Sequence, residues 1–113
     1  MSAEKDPEGK VVVSLDSMVE FAKKGIVSKT FLERPEVKMV LFCMEKGQML
    51  SEHTSTMPAA IHVLSGKAKI RLGQEDSECG PGTWIYMPAN LNHAITANEN
   101  FVFLLTLFRS GIV

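Results

Sequence analysis

Turn-forming residues cut the chain at close and regular intervals from residue 45 to residue 100. They fall at Glu45-Lys46-Gly47, Ser65-Gly66, Gly73-Gln74-Glu75-Asp76, Gly80-Pro81-Gly82, Pro88-Ala89-Asn90 and Asn98-Glu99-Asn100. Glycine and asparagine reach backbone angles that other residues avoid, and proline fixes its own, so such clusters end regular structure. The runs between them fit strands at 51–56, 59–65, 67–72, 83–87, 93–97 and 101–109. Before them, 37–44 is apolar throughout except for Lys38, as expected of a strand covered on both faces. Many short strands so closely spaced predict an all-β sandwich or barrel.

The N-terminal part reads differently. Residues 1–10 are polar and mixed in charge, and a flexible tail is expected there. Val11-Val12-Val13 is β-branched and could open a strand. Residues 16–24 are the one stretch with helical character, with Asp16 as a cap and Gly25 as a stop. At most one short helix is therefore expected, and residues 11–113 form a single domain.

The chain has 113 residues, and 45% of them are hydrophobic, enough for one small core. Its 12 basic and 13 acidic residues form no basic stripe, which argues against nucleic acid as a partner. No run approaches the ~20 apolar residues that cross a bilayer, and the first residues lack the layout of a secretory signal. Cys43 and Cys79 lie far apart and make neither a disulfide framework nor a zinc knuckle. Free thiols in the cytoplasm are the expectation.

Two segments carry the candidate chemistry. The first runs Gly47-Gln-Met-Leu-Ser-Glu-His53-Thr-Ser55 and continues through Ala59-Ala60-Ile-His62-Val-Leu-Ser-Gly66. The second runs Gly82-Thr-Trp-Ile-Tyr-Met-Pro88-Ala-Asn90-Leu-Asn-His93. Together they resemble the two signature motifs of the cupin superfamily, over roughly residues 37–109. The resemblance implies a double-stranded β-helix, the jelly-roll barrel of the sugar-epimerase type, enclosing a cavity between two sheets. It also implies a homodimer, with N-terminal strands packed across the partner. The apolar strands 37–44 and 101–108 offer surface for that contact.

In metal-binding cupins these motifs supply two histidines and a glutamate, then a third histidine. Here His53 and His93 match. Ser55 stands in place of the second histidine, and Ala59 or Ala60 in place of the glutamate. Asn90 replaces a usual glycine, which a turn with positive φ tolerates. Serine is a poor ligand for a divalent transition metal and alanine is none at all. If Ala60 takes the glutamate position, alternation turns His62 and Leu64 inward with it. His53, His93 and His62 would then form a three-histidine metal site. Other uses of the same residues are an imidazole pair hydrogen-bonded to Ser55 or to a ligand, and His62 as a pocket donor. Ser51, Ser55, Met39, Met49, Leu64, Ile95 and Phe103 are the expected pocket lining. Either Trp84 or Tyr86 could cap a ligand, or both could serve the core or a dimer contact.

Five of the seven methionines, Met39, Met44, Met49, Met57 and Met87, fall near the expected barrel. Thioethers fill irregular apolar space, and a Met/His site for Cu(I) is their other conceivable use. The first functional reading is a small-molecule-binding cupin, with one divalent transition metal ion (Fe, Mn, Ni, Zn or Cu) at an atypical histidine site and a metal-assisted reaction. The second is a metal-free binding or sensing module without catalysis. A third is a metal-free enzyme that uses His53 or His93 as a proton shuttle. The fold alone does not choose among them.

Overall fold

The computed structural model describes residues 9–109. One helical turn, α1 (Leu15–Met18), precedes nine strands: β1 (Ile26–Glu33), β2 (Val37–Met44), β3 (Met49–His53), β4 (Ala59–Ser65), β5 (Ala68–Leu72), β6 (Glu75–Cys79), β7 (Trp84–Met87), β8 (His93–Ala97) and β9 (Phe101–Phe108). They form a five-stranded sheet in the order β1-β2-β9-β4-β7 and a four-stranded sheet in the order β3-β8-β5-β6. The paired strands run antiparallel. The two sheets close face to face as the expected jelly roll.

The inner faces meet in a core built on Met44, Ile61, Val63, Ile70, Ile95, Phe101 and Phe103. Phe42 and Phe103 stack with centroids 4.9 Å apart and planes 2° from parallel. Full burial of a side chain such as Phe101 or Phe103 contributes roughly 1.5–3 kcal/mol of transfer free energy. A second core lies on the outer face of the five-stranded sheet. There Leu41, Cys43 and Val102 are covered by Met18, Val13, Leu15 and Phe21 of the N-terminal segment. Strand β2 is therefore buried on both faces, which explains its unbroken apolar run.

Three local expectations change. The helix covers Leu15–Met18 only; its N-cap is Ser14, and Val19 already has extended backbone. Val19 and Phe21 are β-branched or aromatic, and docking Phe21 onto the sheet takes precedence over extending the helix. Val11-Val12-Val13 forms no strand and instead runs over the outer face. Glu75–Cys79, which reads as turn and polar loop, is strand β6, paired with β5 from Leu72↔Glu75 to Ala68↔Cys79. Of the expected tail at 1–10, residues 1–8 lie outside the described residues.

Two turns show why their residues are there. Asn90 has φ 68°, as its place in the second motif predicts. Gly66 has φ +80°, and a Cβ at that position would lie 2.0 Å from the Asn100 carbonyl oxygen. No helix among the described residues is long and apolar enough to cross a membrane.

Candidate functional site

His53 ends β3 and His93 begins β8, and the two are directly paired across the strands. Their rings lie 4.1 Å apart between centroids, tilted by 60°. An irregularity in β3 makes this possible. Met49 pairs Thr96 and Leu50 pairs Ile95, but the register shifts before His53 meets His93. Continued without the shift, the register would set Glu52 opposite His93. The extra residue is a β-bulge, which lets Leu50 and His53 both turn into the barrel although they are three apart. It also removes Ser51 from the inner face.

Each imidazole is held in the same way. Nδ1–H of His53 donates to the Ser51 carbonyl at 2.7 Å, and Nδ1–H of His93 to the Leu91 carbonyl at 3.0 Å. A carbonyl can only accept, so both Nδ1 atoms carry a proton, and in the neutral form of each ring the lone pair is on Nε2. Histidines that bind metals are commonly oriented by such a bond. His93 is buried, at 8% exposure, whereas His53 is open to solvent.

The pair divides two small cavities. One, of about 80 Å³, has Ser55, Met57, Ala59, Met87 and Leu91 in its wall. The other, of about 100 Å³, is enclosed by Phe42, Leu50, Ile61, Ile95, Phe103 and Leu105, and apart from the two imidazoles every side chain against it is apolar. Both are far below the 300–1,000 Å³ typical of drug-sized sites. Neither has a charged side chain in its wall. Ser55 ties the mouth together: its Oγ accepts the Met57 N–H at 3.1 Å, and its carbonyl accepts the Asn90 N–H at 2.7 Å.

Ser55 thus lines the first cavity, and Ile95 and Phe103 line the second. Other expected site residues lie elsewhere. His62 is exposed on the outer face of β4, opposite Trp84 and Leu104, and is not a third member of the histidine pair. The reason is strand parity. Ala59, Ile61 and Val63 belong to the inner core, so Ala59 stands at the glutamate position, and Ala60, His62 and Leu64 point outward. Leu64 packs in the outer core, and Met39 lines an outer groove with Phe31 and Leu104. Met49 is 58% exposed on β3, and Ser51 is exposed, contributing only its carbonyl. Trp84 and Tyr86 both face out, at 61% and 51% exposure. Met87, Leu105, Phe42 and Leu50 are site residues absent from the expected lining. For Met87 the signal was available: it precedes the motif proline and must face opposite to Tyr86.

Among the described residues no three of His, Cys, Asp and Glu come together. What fits a metal is narrower: two Nε2 lone pairs from a preset imidazole pair, with the remaining positions open.

No curated protein matches the chain in sequence. Among solved structures, a conserved protein of unknown function from Streptococcus pyogenes, SPY1581, is 31% identical; the match covers 99% of this chain and 98% of that one, with a TM-score of 0.82. A cupin superfamily protein from Desulfitobacterium hafniense is 22% identical over 87% of this chain and 90% of that one, with a TM-score of 0.81. KdgF from a Halomonas species is 22% identical over 77% and 82%, with a TM-score of 0.70. The last two show likeness of fold alone. The cupin domain family matches residues 40–107, from within β2 to within β9 and across both histidine motifs, and the chain belongs to that family.

Proposed function

We propose that this cupin binds a small, uncharged molecule beside His53 and His93, and that these two imidazoles hold one divalent transition metal ion of the Fe, Mn, Ni, Zn or Cu group. The observation that carries this reading is the matched pair of Nδ1–H bonds to the Ser51 and Leu91 carbonyls, which in the neutral rings puts the lone pair of each on Nε2. The apolar walls of the inner cavity favour a ligand with an apolar body and one polar end placed at the imidazoles. Such an ion, when bound, supplies Lewis acidity or a site for oxygen. The chain's own residues orient the two imidazoles, exclude water with Phe42, Phe103 and Leu105, and offer the Ser55 hydroxyl at the mouth. The test is the metal content of protein purified without chelator. About one equivalent is expected, lost in His53→Ala and kept in His62→Ala. No uptake of any of the five metals would reject the metal part.

The second reading, a metal-free binding or sensing module, draws on the loss of two of four ligand positions at Ser55 and Ala59. It keeps the same cavities and expects ligand binding that a chelator does not alter.

The assembly is proposed to be a homodimer through the outer face of the five-stranded sheet. Exposed Trp84 and Tyr86 beside Phe108, together with a net charge of −1, support self-association. Two buried free thiols, Cys43 and Cys79, agree with a reducing cytoplasmic setting.

A further inference from the structure

The first cavity has exchanged one class of donor for another. At the glutamate position stands Ala59, and its direct partner across the β4–β7 ladder is Met87. Cross-strand partners carry their side chains on the same face with Cβ atoms roughly 5 Å apart. Met87 is 3% exposed and lines the cavities on both sides of the histidine pair. Met57, two residues before Ala59, lines the first cavity from the loop, held there by its N–H bond to Ser55 Oγ. Two thioethers therefore line the same cavity as the two imidazoles, and one of them, Met87, stands across from the place of the family's single carboxylate ligand. Neither cysteine is in the wall of these cavities: Cys43 lies in the outer core, and Cys79, although part of the inner core, lines neither of them.

Donor softness sorts metals. Carboxylate and water suit Mg and Mn; imidazole suits Zn, Cu, Fe and Ni; thioether sulfur selects Cu(I). A carboxylate also offsets the charge of a divalent ion, and no carboxylate lines either cavity. A monovalent, low-coordinate ion needs less compensation in such apolar walls. We infer that the site is a Cu(I) site, with His53 and His93 as nitrogen ligands and a thioether from Met87 or Met57 as the soft third donor. This rests on the reading of the histidines as a metal pair, but replaces the divalent ion of that reading with copper in its monovalent state and adds one further ligand type. The proposal is binding only and involves no redox step.

The test is anaerobic Cu(I) binding by competition with bicinchoninate, for the native protein and for Met57→Leu, Met87→Leu and the double variant, with Zn(II) uptake measured beside it. Leucine keeps the volume and removes the sulfur. Cu(I) affinity is expected to fall ~10-fold or more in the double variant, at least the scale on which changes beside metal ligands act, while Zn(II) uptake stays the same. X-ray absorption on the Cu(I) form gives a second readout that needs no substitution: protein grown on selenomethionine should show selenium in the first shell of copper. A first shell of nitrogen alone, or unchanged affinity in folded leucine variants, overturns the thioether site and leaves the histidine pair standing. Failure to bind Cu(I) while another metal binds at His53 overturns the choice of ion. Failure to bind any metal overturns both this inference and the reading beneath it.

Discussion

Ala59 and Met87 are direct partners across β4 and β7, so the place of the family's carboxylate ligand is an apolar pair beside the imidazoles. Restoring the carboxylate should therefore shift the metal preference. Ala59→Glu is expected to raise Mn(II) and Zn(II) affinity, read by isothermal titration. The metal-free variant should be less stable, by about 1–3 kcal/mol for a buried group without a partner, and saturating metal should recover the loss. Unchanged affinities in a folded variant would place the residue-59 side chain out of reach of His53 and His93.

The turn after β4 tolerates no side chain. A Cβ at Gly66 would sit 2.0 Å from the Asn100 oxygen, on a backbone already at φ +80°. Gly66→Ala should cost about 3 kcal/mol or more, since backbone strain of roughly 1–3 kcal/mol adds to the clash. Denaturant unfolding measures it. Gly47→Ala, with nothing within 4 Å of its Cβ but φ +89°, should cost less because only the strain applies.

Burial pushes the Cys79 thiol above its ordinary value, with the Glu78 charge adding to the effect. Because the folded state holds this proton more tightly than the unfolded chain, the resulting stability is present below the unfolded thiol value of about 8.5 and fades as pH rises through and above it. Melting temperatures taken from neutral to alkaline pH should fall more steeply for the native protein than for Cys79→Ser. Parallel curves would mean that the thiol is not linked to folding.

The Arg109 guanidinium, 2.8 Å from Glu33 Oε2, holds that carboxyl below its usual range. The lowered value means stability present at neutral pH and lost as pH falls through the folded value. Both groups are partly in water, so the contribution is at the low end expected of surface pairs. Glu33→Gln should slightly flatten acid unfolding between pH ~5 and ~3, and high salt should remove the difference.

Trp84 is 61% exposed on the outer sheet face, so exchanging it leaves the barrel core untouched. If the proposed dimer forms through this face, Trp84→Glu should sediment as a monomer where the native protein sediments as a dimer. A native monomer would reject the assembly proposed for this face.

The turn signals at 65–66, 80–82, 88–90 and 98–100, the unbroken apolar run at 37–44 and the two histidine motifs were sufficient to determine an all-β jelly roll and to nominate His53 and His93. These features are local. A glycine or asparagine at positive φ ends a strand wherever it stands, and motif spacing survives folding. Which face of each strand turned inward was not local. Ala60, Leu64 and Leu104 are as apolar as the residues inside, because the N-terminal segment and the outer sheet face form a second core. Alternation on β4 therefore offered two equivalent readings, and only the packing of Ile61 and Val63 into the barrel decided that Ala59 faces the histidines and His62 does not. The bulge in β3, which gives His53 rather than Glu52 the place opposite His93, is a product of pairing with β8. The acidic strand β6 likewise exists through its ladder with β5, since backbone hydrogen bonds there outweigh what its side chains would prefer alone.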